Sequence, residues 1–103
     1  MKKQVSFGLV LLLAAMQANA QFALSGRVYD QQNAPLEGAS VYVSELNRGT
    51  ITTTNGSFSL SGLPEGTVDV KVSFVGYESV TSRVTLQGDT DMGDIILQQL
   101  PYR

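Results

Sequence analysis

The chain contains no cysteine, no histidine and no tryptophan among its 103 residues. Without cysteine it cannot form disulfides, and it cannot be a lipoprotein whose acyl chains attach to an N-terminal cysteine. Without histidine or cysteine it cannot build a Ser-His-Asp triad, a Cys-His pair or a His-ligated zinc site. The sequence therefore predicts a non-enzymatic protein with no catalytic residues, no metal site and no cofactor. Its stability must come from strand pairing and apolar burial.

The first twenty residues have the pattern of a secretory signal. Lys2-Lys3 precedes an uncharged stretch from Val5 to Met16, and Ala18-Asn19-Ala20 supplies the small-x-small pattern that signal peptidase accepts. The apolar stretch is shorter than the about 20 residues that a membrane span needs. We expect residues 1–20 to be a removable signal peptide and residues 21–103 to form one exported domain.

Positive charge is scarce in the predicted mature domain. Residues 21–103 carry five basic side chains against nine acidic ones, and the basic ones are scattered along the chain. A phosphate-binding surface needs clustered lysine and arginine, so nucleic acid is excluded as a partner. The acidic cluster from Asp89 to Asp94 departs from a calcium loop, because Met92 occupies a hydrophilic position and Leu100 stands where the closing glutamate should be. We interpret this cluster as a solvated turn.

Apolar residues recur at every second position rather than at helical spacing. In the longest example Val68, Val70 and Val72 share one face, and the residues between them are polar. Such alternation is typical of sandwich strands with one buried face. It predicts strands near residues 22–29, 39–44, 50–54, 57–61, 67–74, 78–86 and 93–98. The predicted core consists of Leu24, Val28, Leu36, Ala39, Val41, Val43, Phe58, Leu60, Leu63, Val68, Val70, Val72, Phe74, Val80, Val84, Ile95 and Leu97.

Glycine marks two connections between the predicted strands. Asn55-Gly56 fits a two-residue type I′ turn, which needs positive φ at both positions, so residues 52–54 and 57–60 should pair as a hairpin. Gly76 should bend or bulge the chain between two strands and let the Tyr77 ring cover one end of the core. Turn signals about 8 to 12 residues apart favour an all-β sandwich.

Six short motifs, taken in order, resemble the carboxypeptidase regulatory-like domain. They are S-G-R-V-Y-D from Ser25, A-P-L-E-G-A-S-V-Y-V from Ala34, T-T-N-G-S-F-S-L from Thr53, L-P-E-G-T from Leu63, V-S-F-V-G-Y from Val72 and D-I-I-L from Asp94. The resemblance implies an all-β, transthyretin-like Greek-key β-sandwich of about seven strands. It gives a structural role to the motif residues Gly26, Pro35, Gly38, Ala39, Asn55, Gly56, Phe58, Gly76 and Tyr77.

The same family commonly stands at the N-terminus of TonB-dependent outer-membrane receptors. The resemblance therefore implies a module on the periplasmic face of the outer membrane, in a receptor that takes up oligosaccharides or other nutrients. Its partner is then the plug and barrel of the same receptor, or another envelope protein. Because such a barrel needs far more strands than 103 residues provide, we expect a fragment or truncated copy. The alternative is a stand-alone secreted module that binds carbohydrate or protein.

Two surfaces are candidates for binding. Tyr29 and Tyr42 are out of phase with the buried valines beside them, so both should face solvent on adjacent strands. There they would stack on a glycan or pack against each other. Residues 51–54 form a short, threonine-rich, uncharged edge, where Thr52 and Thr53 should offer unpaired backbone groups to a partner strand.

Overall fold

The computed structural model describes residues 21–101, so the predicted signal peptide lies outside the described residues. The strands are β1 Phe22–Tyr29, β2 Ser40–Val43, β3 Arg48–Ile51, β4 Ser57–Leu63, β5 Gly66–Ser73, β6 Val80–Leu86 and β7 Thr90–Ile96. A 3-10 turn at Ser44–Leu46 joins β2 to β3. In this part of the chain no helix has the length and apolar character that crossing a bilayer requires.

The strands form two facing sheets. One has three strands in the order β4-β1-β7, and the other has four in the order β3-β2-β5-β6. Neighbouring strands are antiparallel except β1 and β7, which run parallel with Leu24 beside Thr90 and Tyr29 beside Ile96. The predicted Greek-key β-sandwich of about seven strands is confirmed.

The core lies between the sheets, and its members are inward-facing side chains together with residues of the loop before β2. They are Leu24, Val28, Leu36, Ala39, Val41, Val43, Phe58, Leu60, Leu63, Val68, Val70, Val72, Leu86, Ile95 and Leu97. Of the predicted core, Phe74, Val80 and Val84 are only half buried, because Phe74 follows the end of β5 and both valines lie on the outermost strand β6. Leu86 was not predicted, yet it is fully buried at the end of β6.

The strand predicted over residues 50–54 is observed as β3 at Arg48–Ile51, so the predicted range lies too far along the chain at both ends. Asn47 adopts the left-handed conformation, with φ of 51°, directly after the 3-10 turn. This residue reverses the chain early enough for Arg48 to pair with Val43. The chain then leaves the four-stranded sheet after Ile51.

The predicted hairpin at Asn55-Gly56 is wrong. Gly56 has φ of 80°, but Asn55 has no positive φ, so the turn is not type I′. The Gly56 N–H donates to the Thr53 carbonyl at 2.9 Å, and the Thr53 N–H donates to the Ser57 carbonyl at 2.9 Å. Pairing stops there because β3 and β4 belong to different sheets. The turn carries the chain across the sandwich.

The predicted bend at Gly76-Tyr77 is confirmed. Gly76 has φ of 87°, and the Tyr77 N–H donates to the Phe74 carbonyl at 3.0 Å. An added Cβ at Gly76 would meet nothing within 4 Å, so the backbone conformation rather than space favours glycine. The Tyr77 ring packs against the core and lies 5.6 Å from the Phe74 ring between centroids. Together the two rings cover this end of the core.

Candidate functional site

The two tyrosines predicted to form a platform lie in different sheets. Tyr29 ends β1 of the three-stranded sheet, is half buried, and accepts a hydrogen bond from the Leu97 N–H at 2.9 Å through its backbone carbonyl. Tyr42 lies on β2 of the four-stranded sheet and is 39% exposed. The expectation of adjacent strands is wrong, because the chain changes sheet between β1 and β2. These two rings do not make one sugar-stacking surface.

Tyr42 has structural contacts of its own. Its hydroxyl donates to Asn47 Oδ1 at 2.6 Å, which holds the left-handed residue that precedes β3. Its ring lies over Gly49, the residue opposite it on β3, where an added Cβ would come within 3.0 Å of Tyr42 Cδ1. Tyr42 therefore stabilises the connection between β2 and β3.

Thr52 is 3% exposed, so its prediction as part of an open edge is wrong. Ile51 is 65% exposed, and the next residue along an extended chain points to the opposite side, into the sandwich. There Thr52 Oγ1 accepts from the Ala39 N–H at 2.9 Å and donates to the Leu36 carbonyl. The backbone adds a bond from the Thr52 N–H to the Ala39 carbonyl at 2.9 Å. Through these hydrogen bonds Thr52 holds the loop before β2 against the segment that connects β3 to β4.

Thr53 is exposed, but its polar groups are used within the turn. Its hydroxyl donates to Asn55 Oδ1 at 2.6 Å and lies 2.9 Å from Ser57 Oγ. Its N–H donates to the Ser57 carbonyl. This N–H is therefore not available to an added strand.

The remaining motif residues also occupy structural positions. Gly26 is buried on β1 directly opposite Phe58 of β4, and Phe58 is 4% exposed in the core. Pro35 forms an isolated bridge with the last residue of β1. Gly38 turns the chain with φ of 85°, and Ala39 is fully buried just before β2.

The acidic cluster from Asp89 to Asp94 is not the predicted solvated turn, because most of it lies in β7. Asp89 accepts a hydrogen bond from a backbone N–H of β1 at 2.9 Å. Asp91 accepts one from an N–H within β7 at 2.8 Å, and Asp94 pairs with Arg27 of β1. Within residues 21–101, no group of three or more His, Cys, Asp or Glu side chains is placed to hold a metal ion.

Two arginine–aspartate pairs lie on the outer faces of the sandwich. Arg27 Nε is 3.3 Å from Asp94 Oδ1, and Arg83 Nε is 3.2 Å from Asp69 Oδ1. In each pair the hydrogen bond to the aspartate raises the pKa of the arginine above its ordinary value. Both arginines therefore stay charged at physiological pH and are unsuited to acid–base catalysis. Since all four side chains are exposed, the pairs contribute little to stability.

An open apolar groove lies at the end of the four-stranded sheet. It has a volume of about 380 Å³ and is lined by Gly38, Ser40, Ser73, Phe74 and Val75. None of these side chains titrates, so the groove can contact apolar groups but cannot transfer protons. Val75 is 94% exposed at its rim. Val75 was not singled out as exposed in the sequence analysis. Its position directly before Gly76, the glycine of the turn, was the feature that could have indicated it.

Residues 24–99 match the family model of the CarboxypepD_reg-like domain. The chain belongs to this family. The resemblance seen in the ordered motifs is confirmed, and the match extends from β1 beyond the end of β7.

This CarboxypepD_reg-like domain has a relative among receptors. It is 35% identical over 83 residues to the TonB-dependent receptor SusC of Bacteroides thetaiotaomicron. The alignment covers 75% of the chain but only 8% of the receptor, so the chain spans a small part of its relative's length. The similarity fits an N-terminal module of an envelope receptor.

Solved structures share the fold of the CarboxypepD_reg-like domain. A type II cohesin–X-dockerin complex from Acetivibrio cellulolyticus gives a TM-score of 0.68 at 20% identity, over 76% of this chain and 58% of that chain. The 3-chlorocatechol 1,2-dioxygenase of Rhodococcus opacus 1CP gives 0.63 at 15% identity, over 81% and 62%. At such identities the likeness concerns the fold alone, so no oxygenase activity is transferred. Family and receptor relative together support a non-catalytic module.

Proposed function

We propose that this domain is the non-enzymatic, periplasmic N-terminal module of a TonB-dependent outer-membrane receptor. The observation that carries the proposal is the 35% identity to the receptor SusC over 83 residues. That identity is well above the 15% and 20% found for proteins that share only the fold. The family membership over residues 24–99 supports the same assignment.

The surface chemistry supports a module that makes contacts rather than one that catalyses a reaction. The sequence has no histidine or cysteine, and the acidic residues of β7 are hydrogen bonded within the domain. The groove at the end of the four-stranded sheet is open, apolar and without titratable side chains. We therefore assign the partner as the plug and barrel of the same receptor, or another envelope protein.

Export and cargo follow from this assignment as parts of the same proposal. Residues 1–20 direct the chain across the inner membrane, as their signal pattern predicts. The receptor takes up a nutrient such as an oligosaccharide, while the sandwich itself performs no transport. A sugar platform on the sandwich is not favoured, because Tyr29 and Tyr42 lie in different sheets.

Fractionation of source cells tests the proposal. An antibody raised against residues 21–103 is used to blot cytoplasmic, periplasmic, outer-membrane and secreted fractions, with cells lacking the gene as the control. We expect a band many times heavier than 11.1 kDa in the outer membrane. A small soluble band in the periplasm or the medium would contradict the proposal and favour a stand-alone binding module.

A further inference from the structure

Each sheet of the sandwich has two edge strands, which expose unpaired backbone groups unless they are protected. The edges are β3 and β6 in the four-stranded sheet and β4 and β7 in the three-stranded sheet. Natural proteins protect such edges by making them short, covering them, bulging them or adding charge. A comparison of the four edges shows which one is open.

Three of the four edges are protected. Strand β3 has only four residues. Strand β4 is covered by Arg48, whose guanidinium donates to the Ser61 carbonyl at 2.6 Å. Strand β7 is distorted at Gly93, where φ is 75° and the register with β1 shifts, and it carries the charged residues Asp91 and Asp94. These devices disfavour the addition of another strand at β3, β4 and β7.

Strand β6 is neither short, covered nor bulged. Its seven residues keep an unbroken antiparallel register with β5, from Val80 beside Val72 to Leu86 beside Gly66. It contains no proline or glycine, and its single charged residue is Arg83. Among residues 21–101, no backbone hydrogen bond outside the ladder with β5 involves a β6 residue. Alternate residues of β6 therefore point their N–H and C=O groups to solvent.

The side chains of β6 are also incompletely covered. Val80 and Val84 point towards the core but are only half buried. Val70 and Val72, on the neighbouring strand β5, are 0% and 1% exposed because they have strands on both sides. A further strand beside β6 would cover its two valines in the same way. On the side away from β5, strand β6 therefore lacks both a backbone hydrogen-bond partner and an apolar neighbour.

We propose that β6 is a strand-addition site for an extended peptide with apolar side chains at alternate positions and an acidic residue between them. The apolar side chains cover Val80 and Val84, and the acidic side chain lies opposite Arg83 on the outer face. A second copy of the chain fits less well. Antiparallel pairing of β6 with itself centres on Arg83 and sets two arginines directly opposite each other, which is unfavourable. This site does not depend on the receptor assignment.

The test uses the purified protein and two synthetic peptides, acetyl-Val-Thr-Val-Glu-Val-Thr-Val-amide and the same peptide with lysine in place of glutamate. Binding is measured by fluorescence anisotropy with labelled peptides, and the site is located by amide hydrogen exchange. The glutamate peptide should slow exchange in β6, leave β3 unchanged, and bind about five-fold more tightly than the lysine peptide. Protection at another edge, or none at millimolar peptide, would overturn the proposal. So would a dimer in sedimentation with β6 protected in the absence of peptide.

A pair of charge-exchanged variants supplies the matched comparison. The first combines Asp69→Arg with Arg83→Asp, and the control combines Arg27→Asp with Asp94→Arg in the other sheet. Both keep an oppositely charged pair at an exposed position, so thermal unfolding should be unchanged. The first variant should prefer the lysine peptide, and the control should keep the native preference for glutamate. A first variant that still prefers the glutamate peptide would count against β6 as the site.

Discussion

Replacing Thr52 by valine should destabilise the domain by about 2 to 6 kcal/mol, although the two side chains have nearly the same shape. Thr52 is 3% exposed, and its hydroxyl accepts from the Ala39 N–H at 2.9 Å while donating to the Leu36 carbonyl. Valine keeps the apolar contacts but removes both bonds. It leaves one buried donor and one buried acceptor without a partner, and each such loss costs about 1 to 3 kcal/mol.

Urea denaturation measures this effect, with Thr52→Ser as the matched control. Serine keeps the hydroxyl and loses one methyl group, so it should cost about 1 kcal/mol. The slopes of the unfolding curves should agree among the three proteins, so that the midpoints report stability. The reasoning is refuted if valine lies within about 0.5 kcal/mol of the native protein or costs less than serine. The loop before β2 would then be held by apolar packing rather than by the hydroxyl.

Other substitutions and conditions test the remaining parts of the structure. Gly76→Ala should cost about 1 kcal/mol because its φ is 87°, whereas Gly88→Ala, with equally open space, should be nearly neutral in the same urea assay. Gly56→Ala should cost at least twice as much as Gly76→Ala, because its Cβ would lie 2.6 Å from a carbonyl oxygen of β1; equal costs would contradict this. Val75→Ser should leave the thermal midpoint unchanged because the side chain is 94% exposed, and a clear drop would mean that it packs against the domain. Since the chain has no histidine, the free energy of unfolding should vary by less than about 0.5 kcal/mol between pH 6 and 8, and a titration step there would contradict this.

Alternation along the sequence was sufficient to locate most strands and most of the core. β1 has the predicted bounds, and β5 differs from its prediction by one residue at each end. This success has a physical cause, because a strand with one buried face needs an apolar residue at every second position wherever it lies in the sandwich. The pattern holds without knowledge of neighbouring strands.

Pairing between strands could not be predicted in the same way. Asn55-Gly56 correctly marked a turn, but the local chemistry of a turn does not show whether the two strands stay in one sheet or cross to the other. The same limit explains why the sequence pattern wrongly predicts Tyr29 and Tyr42 on adjacent strands and Thr52 on the outside of the sandwich. For Val80 and Val84 the alternation correctly predicts the inward direction. How far these two side chains are buried depends on whether another strand lies beside β6 in the sheet. The order of strands in a sheet cannot be read from alternation along one strand.

The parallel pairing of β1 with β7 has a mechanical consequence. Because β1 and β7 run side by side in the same direction, the start of β1 and the end of β7 lie at opposite ends of the sandwich. Tension between those ends pulls β1 and β7 past each other, so their hydrogen bonds share the load along the strand instead of opening one at a time. Forced unfolding is governed by the unfolding rate, and this shear geometry slows it. We expect the sandwich to resist a pull between these two ends better than a pull that peels β1 away from β7.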